Sequence, residues 1–145
     1  MWTVGHNEQI LRGVCYLLDE NKVLGRVTGV KFGYEDHGIL TLYIDLEKED
    51  GFHQSFGGYS LDGYDEKLKR RKGTAGGLDF VIQVMKVFKA SKLEDIVGKM
   101  CYALYDQEGL GRTIQGLQAL DIDGGETFLI DTWQKQWFPK ESINA

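Results

Sequence analysis

The sequence predicts an α+β domain: a mostly antiparallel, hairpin-rich sheet with one main helix packed on one face. Three observations predict it. Residues 27–34 and 39–46 alternate apolar and polar side chains on either side of Glu35-Asp36-His37-Gly38, the pattern of a β-hairpin. Residues 76–90 place Leu78, Val81, Ile82, Met85 and Phe88 at helical spacing. Strand-like segments resume after residue 98, and strands before and after one helix give α+β rather than alternating α/β architecture.

The elements follow in chain order. Residues 7–19 fit an amphipathic helix, with Asn7 as cap and Ile10, Leu11, Val14, Leu17 and Leu18 on one face. A strand over 14–18 is the rival reading, because Gly13 interrupts the helix. In the first strand of the hairpin Val30, Phe32 and Tyr34 share a face. In the second, Leu40, Leu42, Ile44 and Leu46 face one way and Thr41, Tyr43 and Asp45 the other. The connection between them reads as four residues long. A third strand is expected over 52–61, with Gly57-Gly58 marking a bulge or a close backbone approach. Residues 62–75 are polar and read as an exposed loop. In the main helix Phe80, Val84 and Val87 widen the apolar stripe, so the helix is expected to be well buried. Ser91 and Glu94 have the spacing of a capping box for a short helix reaching Val97. Segments 99–105 and 112–120, flanking Gly109-Leu110-Gly111, read as strands, and 127–133 as another. Trp133, Trp137 and Phe138 then pack the tail.

Composition bounds the function. A chain of 145 residues with 42% apolar content and a single proline makes one domain with a real core. Residues 1–145 are read as that single domain, with 1–25 as an N-terminal extension. The net charge of -5 argues against a general duplex nucleic-acid surface. Cys15 and Cys101 lack metal-site spacing and read as small buried apolar residues or reduced thiols. The N-terminal residues lack a basic start and an apolar run, and no stretch is long enough to span a bilayer, so the expected compartment is the cytoplasm.

The series Glu35-Asp36-His37-Gly38-Ile39-Leu40-Thr41, Phe56-Gly57-Gly58-Tyr59-Ser60-Leu61-Asp62 and Gly73-Thr74-Ala75-Gly76-Gly77 resembles a group of small phage and prophage proteins of unassigned function. The resemblance covers roughly residues 26–120. It implies a context, a phage gene acting in the cytoplasm of a bacterial host cell, and supplies no active site.

Three residue sets are candidate sites. Lys67, Lys69, Arg70, Arg71 and Lys72 precede Gly73-Thr74-Ala75-Gly76-Gly77 at the start of the main helix. Helix N-termini expose unpaired N–H groups, so Arg70, Arg71, Lys72, Thr74, Gly76 and Gly77 are candidates for holding a phosphate or another anion. The segment is not a P-loop, because the Gly-Lys-Ser/Thr ending is absent. The competing reading is a solvated loop with a threonine cap. Phe56 and Tyr59, beside glycines, are candidates for stacking on a ligand; the competing reading places them in the core. Glu35, Asp36, His37, Asp45, Glu47, Asp62 and Asp65 could hold a metal if the fold gathers them, and Asp121–Glu126 faintly resembles a calcium loop. Here the competing readings are turn chemistry and an acidic surface.

Neither a Gly-x-Ser-x-Gly elbow nor a cysteine with a basic neighbour in sequence is present. The expectation is a non-enzymatic phage accessory protein that needs no cofactor and binds a host bacterial protein or a small anionic, phosphate-bearing molecule. Its role would be to counteract or redirect a host process. A homo-oligomer is compatible with this reading. The alternative is a small metal-dependent phosphodiester hydrolase using clustered Asp, Glu and His.

Overall fold

β1 (Lys22–Asp36) is the strand on which the rest of the sheet is assembled. The computed structural model describes residues 21–106, 112–120 and 126–139. β1 pairs with β2 (Ile39–Lys48), and β2 with β3 (His53–Gly57), all antiparallel. On its other side, the first residues of β1 pair with β6 (Met100–Leu104). Two short strands, β7 (Gly116–Gln118) and β8 (Thr127–Leu129), complete a six-stranded sheet in the order β3-β2-β1-β6-β7-β8. A separate hairpin, β4 (Asp62–Asp65) with β5 (Arg70–Gly73), follows the first three strands. The main helix α1 (Ala75–Phe88) and a second helix α2 (Ile130–Trp137) pack against the sheet. The expected α+β class holds, and among the described residues a second, shorter helix accompanies the main one.

Period-two patterning builds the sheet as expected. Leu42, Ile44 and Leu46 are buried, and Leu40 packs against the same core. The hairpin turn is tighter than the four residues expected. Only His37 and Gly38 lie between the strands, at φ 51° and 77°. Two consecutive left-handed residues form the turn whose twist matches paired strands, so Glu35 and Asp36 remain in β1. The register slips between Gly33 and Asp36, where β1 carries one residue more than β2. The strand expected over 52–61 ends at Gly57. There the chain turns with φ 115° at Gly57 and 86° at Gly58, and a Cβ on Gly57 would fall on the Leu42 carbonyl oxygen. The glycines make the expected close approach.

Residues 62–75, expected as a loop, are the β4–β5 hairpin. Asp65 organises its turn by accepting from the N–H groups of Lys67 at 2.8 Å and Leu68 at 2.9 Å, and Lys69 takes φ 58°. Helix α1 starts where expected, but its buried side is different. Phe80, Val84, Val87 and Phe88 form the core stripe, while Leu78 is 65% and Ile82 42% exposed. Positions 80, 84, 87 and 88 also obey helical spacing, and the two stripes cannot both face one sheet. Phe80 lies among Phe56, Phe128 and Trp133 with ring centroids 5.0–5.8 Å away.

The capping box at Ser91 and Glu94 does not form. Only a 3₁₀ turn, Leu93–Ile96, follows, and Lys92 is its uncapped first neighbour, so Ser91 stands one position too early. The strand expected over 127–133 gives way to helix at Ile130. Helical spacing there sends both Ile130 and Trp133 into the core, and Trp133 Nε1 donates to the Gly76 carbonyl at 2.8 Å. Trp137 packs beside the core, and Phe138, 44% exposed, sets its ring edge-on to Trp133 at 5.3 Å. Cys101 is buried as expected, and its thiol is pushed up to about 12 by burial. The expectations for residues 7–19, Cys15, Gly109-Leu110-Gly111 and the stretch 121–125 lie outside the described residues.

A polar cluster is built into the far end of β2. The Lys48 side chain is 6% exposed, and its Nζ donates to Tyr105 Oη at 2.8 Å and Gln54 Oε1 at 3.1 Å, with Asp50 at 3.5 Å. Arg112 lies over the Tyr105 ring, 3.8 Å from its centroid, and its carbonyl accepts from Gln54 Nε2 at 2.8 Å. The cluster ties β2 and β3 to the segments flanking residues 107–111. Burying an ammonium is tolerated because its protons are taken by oxygen acceptors.

Candidate functional site

The sequence singled out residues around 70–77, and the fold explains what each of them does. Arg71 leaves β5 to grip Asp62 with two nitrogens: Nε to Oδ2 at 2.9 Å and Nη2 to Oδ1 at 2.8 Å. The Asp62 side chain is 1% exposed. Its Oδ1 also accepts from the Leu40 N–H at 3.1 Å, and Ser60 Oγ lies 3.3 Å away. The bond from Arg71 holds the Asp62 carboxyl below the usual carboxylate range against the opposing effect of burial, helped by Leu40 and Ser60. Lys72 pairs with Asp65 at 2.7 Å. Arg70 is exposed and directs Nη1 to the Arg71 carbonyl at 3.0 Å.

The helix start is closed by the protein itself. Thr74 Oγ1 accepts from the Gly77 N–H at 2.9 Å and donates to the Leu61 carbonyl at 3.1 Å. A Cβ on Gly77 would fall on the Leu61 carbonyl oxygen, and one on Gly76 would come 2.7 Å from Trp137 Cβ. These glycines let β4 and α2 approach the helix, and both are buried. Phe56 is fully enclosed, stacked on Phe80 at 5.8 Å, and presents no face for stacking on a ligand. Tyr59 is half-buried against Phe80 and Trp133, and desolvation raises its phenol pKa. Arg71, Lys72, Thr74, Gly76 and Gly77 are each engaged by the protein itself: Arg71 by Asp62, Lys72 by Asp65, Thr74 by Gly77 and the Leu61 carbonyl, and Gly76 by Trp137.

The carboxylates expected as metal ligands are dispersed. Asp45 accepts from Ser55 Oγ at 2.5 Å and faces Lys31 at 3.5 Å; Glu47 pairs with Arg26 at 2.8 Å. Asp62 and Asp65 belong to the β4–β5 hairpin, whereas Glu35 and His37 stand at the tip of β1–β2. Among the described residues, no group of three or more His, Cys, Asp or Glu is placed to share a metal ion.

Sequence reasoning missed the feature that does open to solvent beside these residues. A cleft of about 420 Å³ lies between the distal half of the β1–β2 hairpin and the first turns of α1. Phe32, Leu40, Leu61, Leu78 and Val81 line it, and Gly73, Thr74, Ala75 and Gly77 form its end. Phe32 is 51% exposed, and Tyr34 beyond it 62%. The signal that could have found the cleft is the second apolar stripe of α1. Leu78 and Val81 are apolar in excess of what one sheet contact needs.

The fold and site thus define an α+β domain with an apolar cleft between its first hairpin and the start of α1. Among the described residues, no helix is long and apolar enough to cross a membrane. No protein family, curated protein or solved structure matches the chain.

Proposed function

We propose that the protein is a non-enzymatic binding module that engages a protein of its bacterial host through the apolar cleft. The observation that carries this reading is the exposure of Phe32 and Leu78 on facing walls of one cleft. Large apolar side chains grouped in a concave, polar-rimmed surface favour an apolar partner segment. The engagement of Arg71 and Lys72 with Asp62 and Asp65 favours a protein partner over a free phosphate-bearing molecule. The host context rests on the resemblance to phage and prophage proteins, and with it the idea that binding counteracts or redirects a host process.

The test compares Leu78→Glu with Arg70→Glu, both at exposed positions. A partner captured from bacterial lysate by the unaltered protein is purified, and its affinity for each variant is titrated. Leu78→Glu should weaken binding by about tenfold or more, the effect of placing a charge in a desolvated contact. Arg70→Glu should have a smaller, salt-dependent effect. Equal affinity for Leu78→Glu and the unaltered protein would remove the cleft from the reading. Turnover of nucleotides or nucleic acid with magnesium or manganese, lost in Asp62→Ala but retained in Arg70→Glu, would restore the hydrolase alternative.

A further inference from the structure

The outer edge of β1 changes character halfway along the strand. β6 pairs with it over Lys22–Arg26, and Val27 exchanges hydrogen bonds with Gly98 and Lys99 at 2.8 Å. From Thr28 to Asp36, β1 has β2 on one side and, among the described residues, no strand on the other. Such an edge presents backbone donors and acceptors suited to another strand. Here it also carries Phe32 and Tyr34, at 51% and 62% exposure.

The sequence of this edge is its own antiparallel complement. Residues 31–35 read Lys-Phe-Gly-Tyr-Glu. Laid against a second copy about a twofold axis at Gly33, Lys31 stands opposite Glu35, Phe32 opposite Tyr34, and Gly33 opposite itself. Opposite charges and paired aromatics directly across an antiparallel ladder are both stabilising. Moving the axis to Phe32 sets Lys31 against glycine and Glu35 against Gly29. Moving it to Tyr34 sets Phe32 against Asp36 and Glu35 against Gly33. Either shift loses the charge pairing and leaves only one aromatic pair, Phe32 or Tyr34 opposite itself on the axis. Gly33 leaves the axis open, since a Cβ there would meet nothing within 4 Å. Lys31 is 57% exposed, so its 3.5 Å contact with Asp45 does not withdraw it from the edge.

We propose that the chain forms a homodimer by antiparallel pairing of this β1 edge with the same edge of a second copy, the twofold axis passing through Gly33. An isologous contact of this kind closes on itself and does not propagate. The slip in β1 beside Thr28 and the turn at His37 and Gly38 bound the contact, and the second slip, between Gly33 and Asp36, falls within it. The contact is therefore small, and association falls in the micromolar range typical of small interfaces. Phe32 and Tyr34 from the two copies alternate onto one face, so the dimer sets the two apolar clefts side by side. The pairing does not depend on what fills those clefts.

Analytical ultracentrifugation of the full chain from low to high micromolar concentration tests this with three proteins: unaltered, Glu35→Lys, and the Lys31→Glu/Glu35→Lys swap. The unaltered chain should shift from monomer to dimer. Glu35→Lys places lysine opposite lysine twice per dimer and should weaken association by about tenfold. The swap restores opposite charges and should recover most of the loss. Circular dichroism confirms that the variants fold, and amide exchange over residues 29–35 should slow as the unaltered chain dimerises. Three outcomes overturn the proposal: a monomer at every concentration, even with these amides protected by a host peptide or another segment of the same chain; a Glu35→Lys dimer as tight as the unaltered one; or no recovery in the swap.

Discussion

Arg71 approaches the buried Asp62 carboxylate with Nε and Nη2 at 2.9 and 2.8 Å, one nitrogen to each oxygen, across the β4–β5 hairpin. The pair fastens the hairpin to the tip of β2, because the same carboxylate accepts from the Leu40 N–H at 3.1 Å. A basic residue in an apparent loop is thus part of what holds the fold.

Arg70 and Arg71 should therefore differ sharply in their effect on folding. Arg71→Ala leaves a buried carboxylate without its counter-ion and should lower the thermal midpoint by several degrees. Arg70→Ala, at an exposed position, should stay within about 2 °C of the unaltered protein. Differential scanning calorimetry decides it, and equal midpoints would mean the ion pair holds little.

Acid should dissolve this anchor. Asp62 has its folded-state pKa lowered, first by the Arg71 hydrogen bond. Its stabilisation is then fully present above the unfolded carboxylate value of about 3.9, and is lost as pH falls through the lower folded value. Urea denaturation of the unaltered protein and of Asp62→Asn, which cannot titrate, should give stabilities that converge as pH drops below about 4. A gap independent of pH would contradict the shift.

The two stripes of α1 make opposite predictions for residues two positions apart. Phe80 is fully enclosed among aromatic rings, and Phe80→Ala should cost about 3–5 kcal/mol. Leu78 faces the cleft, and Leu78→Ala should change stability by no more than about 0.5 kcal/mol. Chemical denaturation of the two variants measures both values; comparable losses would place Leu78 in the core after all.

Burial makes Cys101 unreactive, because the thiolate is the nucleophile and the thiol is held at about 12. Under native conditions at neutral pH, iodoacetamide should leave Cys101 unmodified, and denaturant should release it. Peptide-level mass spectrometry reads Cys101 separately from Cys15. Rapid native labelling would show that β6 opens readily.

The β1–β2 hairpin and α1 were legible because they bury apolar residues at fixed periods. Leu42, Ile44 and Leu46 repeat every second residue, and α1 keeps helical spacing, although the side it buries is Phe80, Val84 and Val87 rather than the Leu78 and Ile82 side that the spacing first suggests. The β4–β5 hairpin was not legible, since strands of four residues leave no period to read. Its cohesion comes from cross-strand ion pairs, Asp62 with Arg71 and Asp65 with Lys72, that look like scattered surface charge in a linear sequence. Helix α2 was hidden for another reason: Leu129 precedes it without a capping oxygen, so nothing local announces the switch at Ile130. The cleft joins Phe32, Leu61 and Leu78 from three separate elements, a proximity that only the tertiary fold creates.

The pairing of Arg26 with Met100 has a kinetic meaning. β1–β2–β3 and β6–β7–β8 are each meanders whose strands neighbour one another in sequence. The β1–β6 seam between them closes only after the whole intervening chain has been looped out, and loop entropy must be spent before those bonds form. That seam, which joins two three-stranded halves, should be the slow step in refolding.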